Sequence, residues 1–414
     1  MSNPSDDVSH TAPNRATMPP QRGRQLAVSM SQGVAVATTT VVPVFLVGGL
    51  AVAVSHDLAF PITSLGLATA TFFGASAACS PIAGYITQRI DPGIAMRIAA
   101  WTVATVLVMT AATVHSLPTL LAMLGVAGAG NGLAQPATNL FLAQRVPWRR
   151  QGIAYGVKQS AIPTAGLLAG LAVPLLGVTV GWRWAFAVMA LPAVLVGWRT
   201  PTAGPTPRVT GAQRQHNGDA GRLTLLMMAF AACLASASGS ALGIFTVAGA
   251  AEAGWSEATA GLLLAGASAV GISTRLWSGF RADQRGRNHL KVIILMLAFG
   301  SVGFFLLAPS SHLLFAIGIP IAFGAGWGWP GLFILTMMQG SPSSQAAASG
   351  LTQASMSAGA VIGPATFGIV ADHNSFAAAW TLAGGGALIA ATIFTLIWQF
   401  ARAPERGSRP SEPL

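Results

Sequence analysis

Gly279-Phe-Arg-Ala-Asp-Gln-Arg-Gly-Arg-Asn-His-Leu-Lys291 joins two long apolar stretches and crowds Arg281, Arg285, Arg287 and Lys291 into one turn. Moving outward in both directions, basic residues return in alternate gaps. Arg89 and Arg97 flank one gap, Arg145, Arg149 and Arg150 fill another, and Arg199, Arg208, Arg214 and Arg222 occupy the middle. The intervening gaps hold one, Arg183. Lys and Arg collect in cytoplasmic loops because positive charge resists translocation. The pattern reads as a polytopic membrane protein with both ends in the cytoplasm.

Composition agrees. Charged residues make up 8% of the chain and hydrophobic ones 53%, against about 25% charged in soluble proteins. A helix needs about 20 apolar residues to cross the hydrocarbon core. Spans are expected near 27–54, 61–87, 95–115, 118–144, 152–177 and 184–200, then 223–249, 258–280, 290–309, 312–337, 347–371 and 376–401. Trp148, Trp182, Trp184, Trp198, Trp255, Trp380 and Trp398 fall near their ends, where amphipathic rings favour the headgroup level. The domain plan is a disordered cytoplasmic tail over 1–24, six helices over 25–200, a cytoplasmic linker over 201–222, six helices over 223–401 and a tail over 402–414. The net charge of +11 follows from this topology. It predicts contact with anionic lipid headgroups, not nucleic acid.

The two halves repeat. Tyr-Gly-Val-Lys-Gln-Ser at 155–160 matches Ser-Gly-Leu-Thr-Gln-Ala at 349–354, and Gly-Ala-Gly-Asn-Gly at 128–132 matches Gly-Ala-Gly-Trp-Gly at 324–328. Gly84-Tyr-Ile-Thr-Gln-Arg89 matches Gly279-Phe-Arg-Ala-Asp-Gln284. The near-constant offset indicates an internal duplication. Paired bundles of this kind place a substrate site between the halves, near the midplane.

The turn at 279–287 resembles the G-x-L-A-D-R-x-G-R loop of the major facilitator superfamily, through Gly279, Ala282, Asp283, Gly286 and Arg287. The resemblance extends over about residues 25–401. It implies an all-α fold of twelve transmembrane helices in two pseudo-symmetric six-helix bundles, acting as a monomer. It also implies a cytoplasmic gate latched by Asp283 and Arg287, with Gly279 and Gly286 shaping the turn. The first copy keeps Gly84 and Arg89 but has Gln88 in place of the acid. A second family pattern, rich in glycine and associated with antiporters, is incomplete in the fifth span. It is better matched in the eleventh by Gly350, Gly359 and Gly363-Pro364, small residues at which helices can pack closely. The arginine that the family carries in its fourth span is missing.

Lys158 is the sharpest functional candidate. It lies about 9 Å of helix rise into the fifth span. Placing a Lys there costs on the order of 3 kcal/mol, so such residues face a cavity or a pathway. Two readings remain open: an anion-binding group, or a side chain that snorkels to the interface. Gln159, with Thr352 and Gln353 in the second repeat, is a candidate for the same cavity. Asn131, Gln135 and Asn139 recur every four residues and share one face of the fourth span. That stripe suits either a wet cavity or interhelical hydrogen bonds. Trp327 aligns with Asn131 in the repeat and is placed to close over a substrate, whereas Trp329 reads as packing. Pro330 kinks that helix.

The remaining chemistry is excluded by what is missing. The sequence has no Walker motif, and no His, Cys or carboxylate pair at metal-ligand spacing. No cofactor and no enzymatic reaction are expected, and Cys79 and Cys233 indicate no disulfide framework. The expectation is a secondary transporter of a small organic solute, with an anion favoured, working by alternating access in a bacterial inner membrane. An efflux pump for neutral or amphiphilic compounds, drugs included, is the alternative. A non-transporting sensor or scaffold is disfavoured because tails and linker are short and polar. Import or export, and any coupling ion, are not encoded in these features.

Overall fold

The computed structural model describes residues 20–61, 63–87, 89–147, 150–202, 219–284, 289–340 and 345–406. Every regular element among them is helical. The first half comprises α1 (Pro20–Gly49), α2 (Ala51–Asp57), α3 (Thr63–Thr87), α4 (Pro92–Thr113), α5 (Leu117–Ala143), α6 (Gln151–Gln159), α7 (Ala161–Ala172) and α8 (Trp182–Arg199). The second comprises α9 (Asp219–Glu252), α10 (Glu257–Gln284), α11 (His289–Leu307), α12 (His312–Ile321), α13 (Pro330–Gly340), α14 (Gln345–His373) and α15 (Phe376–Arg406). Single π-helical turns, Val173–Gly177 and Ala322–Gly326, extend α7 and α12.

Helix is what the solvent dictates. Hydrocarbon offers no partner for a peptide group, so each span must satisfy its own backbone. Eleven stretches among the described residues are long and apolar enough to cross a membrane, with α6–α7 and α12–α13 each forming one of them. The twelfth helix, α8, has 18 residues with Arg183 and Arg199 at its ends. Its rise of about 27 Å still matches the hydrocarbon thickness, and the two arginines account for its lower hydropathy.

Burial is arranged for lipid. Trp198, Leu191 and Leu313 are 75%, 69% and 68% exposed; large apolar groups point outward because a bilayer solvates them as well as a protein core does. Alanine and glycine fill the contacts between helices instead. A core containing Phe45, Phe245, Phe323 and Trp327 runs across both halves.

Helix ends with their arginines gather at one face, the basic end, and Asp57 and Arg183 mark the opposite end. The halves touch at both. At the opposite end the Thr63 hydroxyl of α3 donates to Asp372 Oδ2 of α14 at 2.8 Å. At the basic end α6 lies on α10. Helix α1 begins at Pro20, α9 at Asp219, and α15 runs to Arg406, so helix reaches into the stretches read as tail and linker. Residues 1–19, 203–218 and 407–414 lie outside the described residues, as do Gln88, Gly286 and Arg287.

Candidate functional site

Lys158 organises the interior. Its helix, α6, is strongly amphipathic in sequence, and the side chain is 4% exposed. The ammonium turns to α5. Nζ donates to Gln135 Oε1 at 3.0 Å and to Asn139 Oδ1 at 2.5 Å. A cation admits only acceptors, so it fixes how the amides point. Gln135 must turn its oxygen to Lys158, which leaves its Nε2 to donate to Asn131 Oδ1 at 3.2 Å. Asn131 in turn donates from Nδ2 to Ser76 Oγ at 2.9 Å, and Thr40 Oγ1 lies 3.1 Å from Asn131 Oδ1. The four-residue spacing on α5 thus becomes a directed polar chain from α6 through α5 to α3.

That chain forms one wall of a cavity of about 70 Å³ between the halves. Asn131, Gln135, Lys158 and Gln159 line it from the first half, and Ser236, Ser240 and Gln353 from the second. The remaining wall is apolar. Trp327 stacks on Phe45 of the other half at 6.1 Å and meets Phe323 edge-on at 5.6 Å. The cavity therefore has one charged corner and one aromatic corner, with helices in contact on both membrane sides of it.

Among the described residues no acid pairs with Lys158. Among the described residues the single ion pair is Arg183–Asp57, at the opposite end. Two neutral acceptors stabilise a buried ammonium by about 1.5–3 kcal/mol each, yet they leave its charge uncancelled.

The other sequence candidates divide. Thr352 is buried at 2% exposure and is not part of the cavity lining, while Gln353 is, with its Nε2 donating to Ser357 Oγ at 3.4 Å. Trp329 is wholly buried, and its indole N–H has no partner among the described residues. Asp283 accepts from the Gly152 and Ile153 amides at 2.9 and 3.0 Å, joining α10 to the first turn of α6. Gly279 lies directly beneath: a Cβ there would fall 2.8 Å from the Gly152 carbonyl oxygen. In the first copy of that loop the Arg89 guanidinium stacks on Tyr85 at 3.9 Å. Among the described residues nothing lies within 4 Å of a Cβ placed at Gly84 there.

Gly359 and Gly363 pack on the α9 backbone at Cys233 and Ala237, and the Pro364 carbonyl lies against Gly66 of α3. Gly350 departs from the packing expectation. Among the described residues nothing lies within 4 Å of a Cβ placed there.

One residue escaped the sequence reading. Arg275 of α10 is 1% exposed. Its Nε donates to the Trp327 carbonyl at 3.2 Å, with Nη2 bonding the same oxygen and Nη1 the Gln159 carbonyl. The rule that singles out Lys158, a charge inside a span, applies equally to Arg275. The cluster at 281–287 disguises it as one more arginine of the basic end.

Sequence comparison now decides the class. The family model described as Major Facilitator Superfamily matches residues 28–225 and again 227–414. The chain belongs to the Major Facilitator Superfamily. The match covers both halves, and the protein is a multi-pass membrane transporter, not an enzyme. No curated protein matches the sequence. Solved structures share the fold. A crystal structure of the nucleoside transporter NupG, as a mutant, superposes with a TM-score of 0.68 at 14% identity, covering 90% of this chain and 100% of that one. The human organic anion transporter MFSD10 superposes with a TM-score of 0.62 at 16% identity, covering 91% and 100%.

Proposed function

We propose that this superfamily member is a secondary transporter of a small organic anion, working by alternating access around the Lys158 cavity. One observation carries the reading: Lys158 is buried at 4% exposure with neutral amides as its partners. A buried charge calls for a counter-charge, and a carboxylate or similar group on a substrate supplies it. Gln159 and Gln353 would orient the rest of the molecule from the two halves, and Trp327 would cover it. The basic end is assigned to the cytoplasm by its arginines, where Asp283, with Arg287, would form the gate and anionic headgroups would meet the loops. We assign the protein to a bacterial inner membrane as a monomer, its halves spanning 25–200 and 223–401 about a linker at 201–222.

The test is ligand-induced thermal stabilisation of the purified protein, since a ligand of the folded state raises its apparent stability by mass action. Carboxylates and inorganic anions would be compared with matched neutral and cationic compounds, in wild type and Lys158→Gln. Anions that stabilise the wild type alone are the expected result. Neutral or cationic compounds that stabilise both proteins equally would favour the second reading, an exporter of neutral or amphiphilic compounds. The Phe45–Trp327 wall of the cavity supports that alternative.

A further inference from the structure

A proline and a helix break each leave a main-chain oxygen without its helical donor, and one arginine collects both. In a regular helix the Gln159 carbonyl would accept from the amide four residues on. That residue is Pro163, which has no N–H. The Trp327 carbonyl stands at the break between the π turn and α13, where Trp327 itself has left helical geometry with φ −120° and ψ 6°. An orphan carbonyl inside a bilayer is costly. Arg275 donates to both, and the two lie on opposite halves of the molecule.

Helix α10 reaches α6 at a second level. Asp283 is eight residues beyond Arg275, on the same face, with Gly279 midway. Its carboxylate accepts from the Gly152 and Ile153 amides. A Cβ on Gly156 would fall 2.7 Å from the Arg275 carbonyl oxygen, so the two backbones run in contact between those levels. From Arg275 to Asp283 is about 12 Å of helix, and from Gly152 to Gln159 about 11 Å. The two helices run antiparallel, and the spacings match. An acid thus sits at the positive end of the α6 dipole, the favourable pairing, and a guanidinium at the carbonyl that Pro163 leaves free.

We infer that Arg275 is a positioning residue of the transport cycle, the deep end of a two-point clamp by which one half grips both ends of α6 in the other. Lys158 lies on the clamped helix, one residue before the gripped carbonyl. Opening the basic end requires Arg275 to release Gln159, and Pro163 makes that release selective. With no helical amide to take over, the Gln159 carbonyl keeps the Arg275 bond closed until substrate or water replaces it. The clamp goes beyond the latch at Asp283, and it rests on the alternating-access reading above.

The experiment measures opening directly, without assaying transport. Spin labels are placed at two exposed positions of the basic end, one on each half, through R150C and Q284C with Cys79 and Cys233 replaced by alanine. Electron–electron distance distributions are then recorded in lipid nanodiscs. Arg275→Gln is expected to raise the long-to-short distance ratio about tenfold, the equivalent of one charged hydrogen bond. Pro163→Ala keeps every charge and returns a helical amide to Gln159. It is expected to raise the same ratio in the same direction, and it decides the matter if Arg275→Gln fails to fold. A wild-type distribution in Pro163→Ala and in any folded Arg275→Gln, beside a shifted one in Asp283→Asn, would overturn the clamp and leave alternating access standing. One invariant distance in all of them would remove both.

Discussion

Lys158 and Arg275 are both cations buried in the membrane interior, but the protein holds them in opposite ways. Lys158 is held by side-chain amides of its own half, on α5. Those amides sit on rotatable stems and one of them, Gln135, lines the cavity, so a ligand can replace or join it. Arg275 is held by main-chain carbonyls, one of them across the interface between halves. Such partners cannot turn away unless a helix moves. The pair teaches that burial alone does not give a charge its role. A cation with mobile partners is suited to meet a substrate, and a cation with fixed partners is suited to report where the helices are.

The largest effect that would sharpen this contrast comes from removing the Lys158 charge. Lys158→Gln is expected to weaken anion binding about 100-fold or more, the scale of a desolvated charge contact, as read by titration calorimetry. Unchanged affinity would dissolve the distinction. Next, Asn139→Leu takes away one acceptor of the ammonium. It is expected to lower stability by about 2 kcal/mol, as for a charged hydrogen bond, and added anion should restore part of the loss in a thermal unfolding assay. A loss that anion does not touch would mean that the amides serve structure alone.

A smaller effect is expected at the opposite end. Thr63→Val removes the donor to Asp372 and should favour opening there by about 1 kcal/mol, the value of an ordinary hydrogen bond, measured with spin labels across α3 and α14. Opening at the basic end instead would contradict the two-gate arrangement. The least is expected from Asp57. Its hydrogen bonds from Arg183 and then Trp182 hold its carboxyl below the usual 3.8. A lowered value means that the stabilisation is complete above about pH 4 and is lost as pH falls through the lowered value. Because the pair is exposed, Asp57→Asn should cost about 0.5 kcal/mol or less. It should also flatten that acid limb in pH-dependent unfolding, where an unaltered limb would exclude the pair.

The sequence by itself determined the class of fold. A run of about 20 apolar residues has one stable form in hydrocarbon, and the alternation of arginines orders those runs. Expected spans such as 118–144 and 376–401 lie within a few residues of Leu117–Ala143 and Phe376–Phe400. Lys158 was legible for the same reason, as a charge where none is cheap, and so was the shared face of Asn131, Gln135 and Asn139. Tertiary structure decided what those groups touch. That Lys158 turns to α5 depends on how two consecutive helices are packed. The packing of Gly363 and the open space at Gly350 differ although both are glycines of one helix, because only one of them faces α9. Arg275 needed the structure most. Its partners are peptide oxygens, which carry no letter in the sequence, and they become available only where Pro163 and the break at Trp327 interrupt two helices that the fold brings to the same arginine.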